Sequence, residues 1–117
     1  MGKIQELRVW QKSKDLAVYI YEVTGKGQFA KGYSLKDQIS RAAGSISRNK
    51  AGGDELDTNE QAVKFFYISK GSCAEVLTQA IIALEIGYLE KKDFLHIEQE
   101  CQAISGMLTR LIQVRSK

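Results

Sequence analysis

Near the C-terminus the sequence sets Phe94, Ile97, Cys101, Ile104, Leu108 and Leu111 three and four residues apart. That spacing returns to one face of an α-helix at every step and to neither face of a strand. Leu95, Met107, Ile112 and Val114 widen the apolar face beyond a two-helix seam, as packing inside a bundle requires. The 117 residues contain no proline, so long helices can run without the break that residue imposes.

Three earlier segments follow the same period. The first covers about 7–23, with Val9, Leu16, Ile20 and Val23 on one stripe and Trp10, Ala17 and Tyr21 beside it. Gly25 or Gly27 ends it by supplying a positive φ. A connector, "KGQFAKGY", follows, with Phe29 and Tyr33 expected to pin it to the core. The second segment, about 34–50, opens on "SLKD", where Ser34 and Asp37 suit a capping box. Leu35, Ile39, Ala42, Ile46 and Asn49 stay in phase along it, and Gly52 and Gly53 are expected to end it. The third, about 58–86, starts from Thr58 and Gln61 as a second capping box. It runs through Ala62, Phe65 or Phe66, Ser69, Cys73, Val76, Ala80, and Ala83 or Leu84 to Gly87. With 91–114 these make four helices in one domain, 1–117, of all-α class.

No apolar run approaches the roughly 20 residues of a membrane span. The opening "MGKIQELRVW" lacks the apolar stretch of a secretory signal, so a cytoplasmic location is expected, with Cys73 and Cys101 as reduced core thiols. Residues 1–50 carry ten Lys or Arg against four Asp or Glu, and residues 51–117 seven against ten. The basic half favours an anionic partner.

Catalytic constellations are scarce. "GQFAKGYS" has the glycine spacing of a phosphate loop, but Tyr33 stands where the lysine belongs and no strand precedes it. A di-metal bundle site needs two Glu-x-x-His pairs, and His96 is the sole histidine. Cys73 has no evident group to lower its pKa. "DELDTNE", from Asp54 to Glu60, reads as an acidic helix start. No cofactor, metal or catalytic residue is expected.

The stretch "SRAAGSISRNKAGG" is thin: from Ala42 to Gly53, Ile46 is its one large apolar side chain. A glycine inside a helix costs about 1 kcal/mol relative to alanine, yet Gly44 and Gly71 both sit in helical phase. The expectation is that both lie at close contacts, facing each other or a neighbouring subunit. Nearby polar residues (Asp37, Gln38, Arg41 and Asn49; Glu75, Thr78 and Gln79) would have to satisfy one another where buried, with Arg41 pairing to Glu75 or Asp37.

"VWQKS", "YSLKDQISRAAGSI", "SRNKAGG", "FYISKGSCAEVLTQ" and "EIGYL" occur in this order. Together they resemble the four-helix bundle proteins called 23S rRNA intervening-sequence proteins, over about residues 7–112. The resemblance implies an antiparallel up-down four-helix bundle, a bacterial source, a homopentamer and no known enzymatic activity. The accessory proteins of diversity-generating retroelements, pentamers that bind nucleic acid and a reverse transcriptase, are more distantly similar. The chain departs from the family's S-I-P-S-N-I-A-E-G pattern: Ser47 replaces the proline, Lys50 the isoleucine and Gly52 the glutamate.

These observations lead to an expected non-catalytic homo-oligomer that binds RNA or DNA through a basic surface. The candidate phosphate contacts are Lys12, Lys36, Arg41, Arg48 and Lys50, with Arg110, Arg115 and Lys117 as a second cluster. A protein-interaction scaffold with no nucleic-acid role is the alternative. Tyr19, Leu56, Ile82, Ile86 and Ile112 fall off the main stripes and are expected to serve an interface between copies.

Overall fold

The computed structural model describes residues 2–54 and 58–116. Four long α-helices and one 3-10 turn make up the described chain: α1 (Gly2–Thr24), the turn Phe29–Lys31, α2 (Tyr33–Asp54), α3 (Asn59–Glu85) and α4 (Lys91–Arg115). Among the described residues there is no strand. Each helix packs on the next in sequence and α4 closes back on α1, leaving α1 and α3 on opposite corners. Connections this short force neighbours to run antiparallel, so the chain is an up-down four-helix bundle about 45 Å long.

The apolar stripes become the core. Val9, Leu16 and Ile20 from α1, Ile39, Ala42, Ala43 and Ile46 from α2, and Ala62, Phe66, Cys73, Val76, Ala80 and Ala83 from α3 are buried. The whole α4 series, Phe94 through Leu111, joins them, and so does Ile112. Leu95 and Val114 point outward instead. They lie on the flanks of the α4 face, where neither α1 nor α3 reaches.

The helix ends separate what a glycine or serine can do from what it does here. Gly27 has φ +57° beyond α1, and Gly87 has φ +83° beyond α3. At Gly87 the amide of Tyr88 donates to the Ala83 carbonyl (2.8 Å) and that of Gly87 to Leu84 (3.2 Å), satisfying two otherwise orphaned carbonyls. Thr58 caps α3 by accepting from the Gln61 amide at 3.2 Å. Ser34 caps nothing. It lies within the first turn of α2, and its hydroxyl accepts from Gln38 Nε2 at 3.2 Å. Gly52 and Gly53 do not end α2 either, since the helix continues to Asp54. Leu56 lies outside the described residues.

In the connector Phe29 is fully buried against the tilted Tyr88 ring, with centroids 5.7 Å apart. A Cβ on Gly32 would meet that same ring at 2.4 Å, so this position requires glycine. Tyr33, expected to pin the connector with Phe29, is instead 77 % exposed because it opens the outer face of α2.

Small hydroxyl residues join α2 to α3. Ser69 Oγ donates to the Ile46 carbonyl (2.9 Å), and Ser45 and Ser72 share a hydrogen bond of 2.9 Å. Asn49 Nδ2 donates to both the carbonyl and the hydroxyl of Ser45, at 2.9 and 2.8 Å. The α1–α4 seam is closed by Lys12 to Glu100 (2.8 Å) and by Tyr19 Oη donating to Asp93 (2.7 Å). The Tyr19 ring also packs on His96, centroids 4.4 Å apart. Burial and the adjacent Asp93 raise the Tyr19 phenol well above its ordinary pKa. Arg115 bonds Glu6 and Asn59 and lies over the Phe66 ring, tying the start of α1 and of α3 to the end of α4.

Candidate interaction surfaces

The five expected phosphate contacts do not form one surface. Lys50 is 1 % exposed and is not without a partner. It stands four residues after Ile46, on the buried face of α2, so it cannot serve as an open phosphate contact. Lys12 lies in the α1–α4 seam, paired with Glu100. Arg41 makes an exposed ion pair with Asp37 one turn earlier (3.1 Å), the second of its two expected partners. Such a pair contributes little to stability. Arg48 is exposed, and Lys36 half-buried, on α2. Of the second cluster, Arg115 is held by Glu6 and Asn59, Arg110 is exposed on α4, and Lys117 lies outside the described residues.

Neither glycine expected at a close contact has one within the chain. Gly71 is exposed on α3, and a Cβ built there meets nothing within 4 Å. At Gly44 the only close neighbour is the Arg48 guanidinium, 2.7 Å from such a Cβ and free to swing away. The α2–α3 approach is bridged by other small residues, Ser45, Ser69 and Ser72. These lie a quarter-turn or more around their helices from the two glycines. Gly44 and Gly71 therefore do not face each other.

Large apolar side chains stand outside the core on the two opposite corners, α1 and α3, as well as at Leu95 and Val114 on α4. On α1 these are Leu7, Trp10 and Val18, with the Lys14 ammonium 5.9 Å from the Trp10 ring centroid. On α3 they are Tyr67, Ile68, Ile81, Ile82 and Ile86, about half exposed, with the bare backbone of Gly71 between Ile68 and Ile82. Of the residues expected at an interface, Ile82 and Ile86 are thus available. Ile112 is buried in the core, and Tyr19 is half-buried against α4 because its hydroxyl reaches Asp93.

Two grooves flank the first half of α2. One, toward α1, is lined by Tyr21, Tyr33, Ser34, Lys36, Asp37, Ser40 and Arg41. The other, toward α3, is lined by Gln38, Arg41, Ala42, Ser45, Arg48, Glu75 and Gln79. They meet at Arg41. Ser40 Oγ and Gln79 Oε1 are buried without a hydrogen-bond partner among the described residues. The proximity of Tyr21 to Tyr33 was not legible in the sequence, because it depends on how the connector folds α2 back along α1. The available signal was phase: both tyrosines fall outside the apolar stripes of their helices.

The buried thiols are poor nucleophiles. Desolvation pushes both Cys73 and Cys101 up to about 12, and the nearby Lys70 offsets little of this at Cys73. Both are therefore protonated near neutral pH. Among the described residues no group of three or more His, Cys, Asp or Glu is placed to hold a metal ion. Nor is any helix long and apolar enough to cross a membrane.

The sequence profile of the 23S rRNA-intervening sequence protein family matches residues 5–110. The chain belongs to this family. The bundle is similar to the crystal structure of a protein of unknown function from the S23 ribosomal protein family of Bacteroides thetaiotaomicron VPI-5482. The TM-score is 0.86 at 20 % sequence identity, covering 93 % of this chain and 98 % of that one. At that identity the likeness shows the shared fold. No match was found among curated proteins. Lys50 itself occupies a buried position on the core-facing side of α2, one turn beyond Ile46.

Proposed function

We propose that this intervening-sequence family protein is a non-catalytic subunit that assembles with further copies of itself and offers a cationic α2 face to RNA or DNA. The observation that carries assembly is the pair of apolar surfaces on opposite corners, α1 and α3. A two-fold dimer would use one patch twice, whereas two different patches on opposite sides suit head-to-tail contacts, which close into a ring where the rotation between copies allows and otherwise extend as a filament. Gly71 supports the same reading. An exposed helical glycine with no neighbour in its own chain has a use where another copy approaches the backbone. Five subunits is the number that the family resemblance implies.

Nucleic acid is the second element, supported by Arg48 and Lys36 on α2, the helix that lies between the two apolar corners and stays open when they are covered. Repetition around a ring would bring several such faces to one phosphate backbone. Light scattering tests assembly: the wild type is expected well above the 13.1 kDa of one chain, and Ile68→Glu with Ile82→Glu is expected to lower the mass. A wild-type monomer at micromolar concentration overturns assembly. Anisotropy with labelled RNA and DNA at two salt concentrations tests the second element, with binding falling as salt rises because counterions displaced from the phosphates gain less entropy. If neither binds at low salt, the protein-scaffold reading replaces it.

A further inference from the structure

The groove between the end of α1 and the start of α2 combines features that neither helix shows alone. Tyr21 is 61 % exposed and Tyr33 77 % exposed, and they come from different helices to one groove. Among the described residues neither ring is paired with another aromatic ring. Large exposed aromatic faces with no intramolecular partner are costly to hydrate. Lys36 lines the same groove, and Arg48 lines the groove that joins it at Arg41. Arg41 forms an exposed pair with Asp37 at 3.1 Å, and Glu75 shares the groove of Arg48, so Lys36 and Arg48 are the two cations of these grooves without a salt bridge among the described residues. Ser40, buried in the groove wall, keeps a hydroxyl without a partner.

We propose that this groove stacks the unpaired bases of a single-stranded nucleic acid on Tyr21 and Tyr33, while Lys36 and Arg48 hold its phosphates. It rests on the nucleic-acid element of the proposed function and narrows it from any phosphate backbone to a strand with free bases. A duplex keeps its bases stacked on one another and offers nothing to the tyrosines. A single strand has a π-face at every base, and cationic grooves with aromatic platforms suit it without sequence preference. The polar rim of Lys36, Asp37 and Arg41 distinguishes the groove from the isoleucine surface, which it borders at Tyr33 and Ser34 beside Ile82 and Ile86 and which suits another copy of the chain.

The test is fluorescence anisotropy of the full chain with a labelled twelve-residue oligo-dT, an oligo-U of equal length and a blunt duplex of equal charge. Tyr21→Ala with Tyr33→Ala should weaken single-strand binding by about tenfold or more per ring. Tyr21→Phe with Tyr33→Phe, which keeps both stacking faces, should stay within about threefold of wild type. Arg48→Gln should weaken single strand and duplex alike and reduce the salt slope for the single strand by about 0.7. Far-UV circular dichroism and light scattering on each variant show that fold and mass are kept. A duplex bound as tightly as the single strand, or an Ala pair no weaker than the Phe pair, overturns the stacking groove and leaves the α2 cations as a general phosphate surface. Absence of binding by all three probes at low salt removes both.

Discussion

Replacing Gly71 by alanine should stabilise the chain. In the interior of a helix glycine is about 1 kcal/mol worse than alanine, and part of that cost is the freedom glycine gives the unfolded chain. The offset to expect from crowding is nil, because a Cβ at position 71 meets no atom within 4 Å. The gain should therefore approach the full 1 kcal/mol. For 117 residues an unfolding entropy of about 2.1 cal/mol/K per residue converts this to about 4 °C in Tm. Urea unfolding at several protein concentrations is the assay, because association makes stability depend on concentration. The concentration-independent part should rise with m unchanged. A fall in that part by 0.5 kcal/mol or more would refute the reasoning, since it would require a contact at Gly71 within the chain. Gly106, also helical with nothing within 4 Å of a Cβ, is a control expected to behave alike. Light scattering on Gly71→Leu reads the outer face separately: a lower mass with no loss of single-chain stability is the outcome expected from a subunit contact.

Two further outcomes follow from burial. Lys50→Glu should cost on the order of 3 kcal/mol, because it inverts a charge held inside the bundle, whereas Arg48→Glu should leave the urea midpoint near wild type; equal effects would contradict the placement of Lys50. Both thiols should resist a disulfide-exchange reagent from pH 7 to 9 in the native protein and react fully in urea. Their pKa values near 12 keep the thiolate scarce across that window, and prompt native reaction at pH 8 would show that they are neither buried nor raised.

The sequence was most readable where one physical cause decided the outcome. The α4 series is buried as its spacing requires, since a period of 3.6 can hide those residues only together. Thr58 and Gly87 do what their residue types do best, an extended N-cap and a left-handed C-terminal residue. Gly52 and Gly53 were misread because glycine permits a helix end without causing one, and α2 continues through them. Lys50 was misread by residue type: its position, one turn beyond Ile46, outweighed its charge. Gly44 and Gly71, expected at close helix contacts, have none between helices among the described residues, because glycine in helical phase does not say which way its face points. The Tyr21–Tyr33 groove was the least legible feature, because it depends on the path from Gly25 to Gly32 and on the approach of Gly32 to Tyr88. Local periodicity carries no such information.

The hydroxyl ladder between α2 and α3 bears on how the bundle chooses among its own alternatives. Apolar stripes repeat, so two helices held by them alone can slide by a turn and find similar contacts, with Ile46 moving to the place of Ala42. Ser69 to Ile46 and Ser72 to Ser45, which cross from α3 to α2, do not repeat. A slip of one turn, about 5.4 Å, would break both bonds, at about 0.5–1.5 kcal/mol each. The ladder thus acts as a detent between the two longest-packed helices, setting a single stop on a rail that would otherwise offer several.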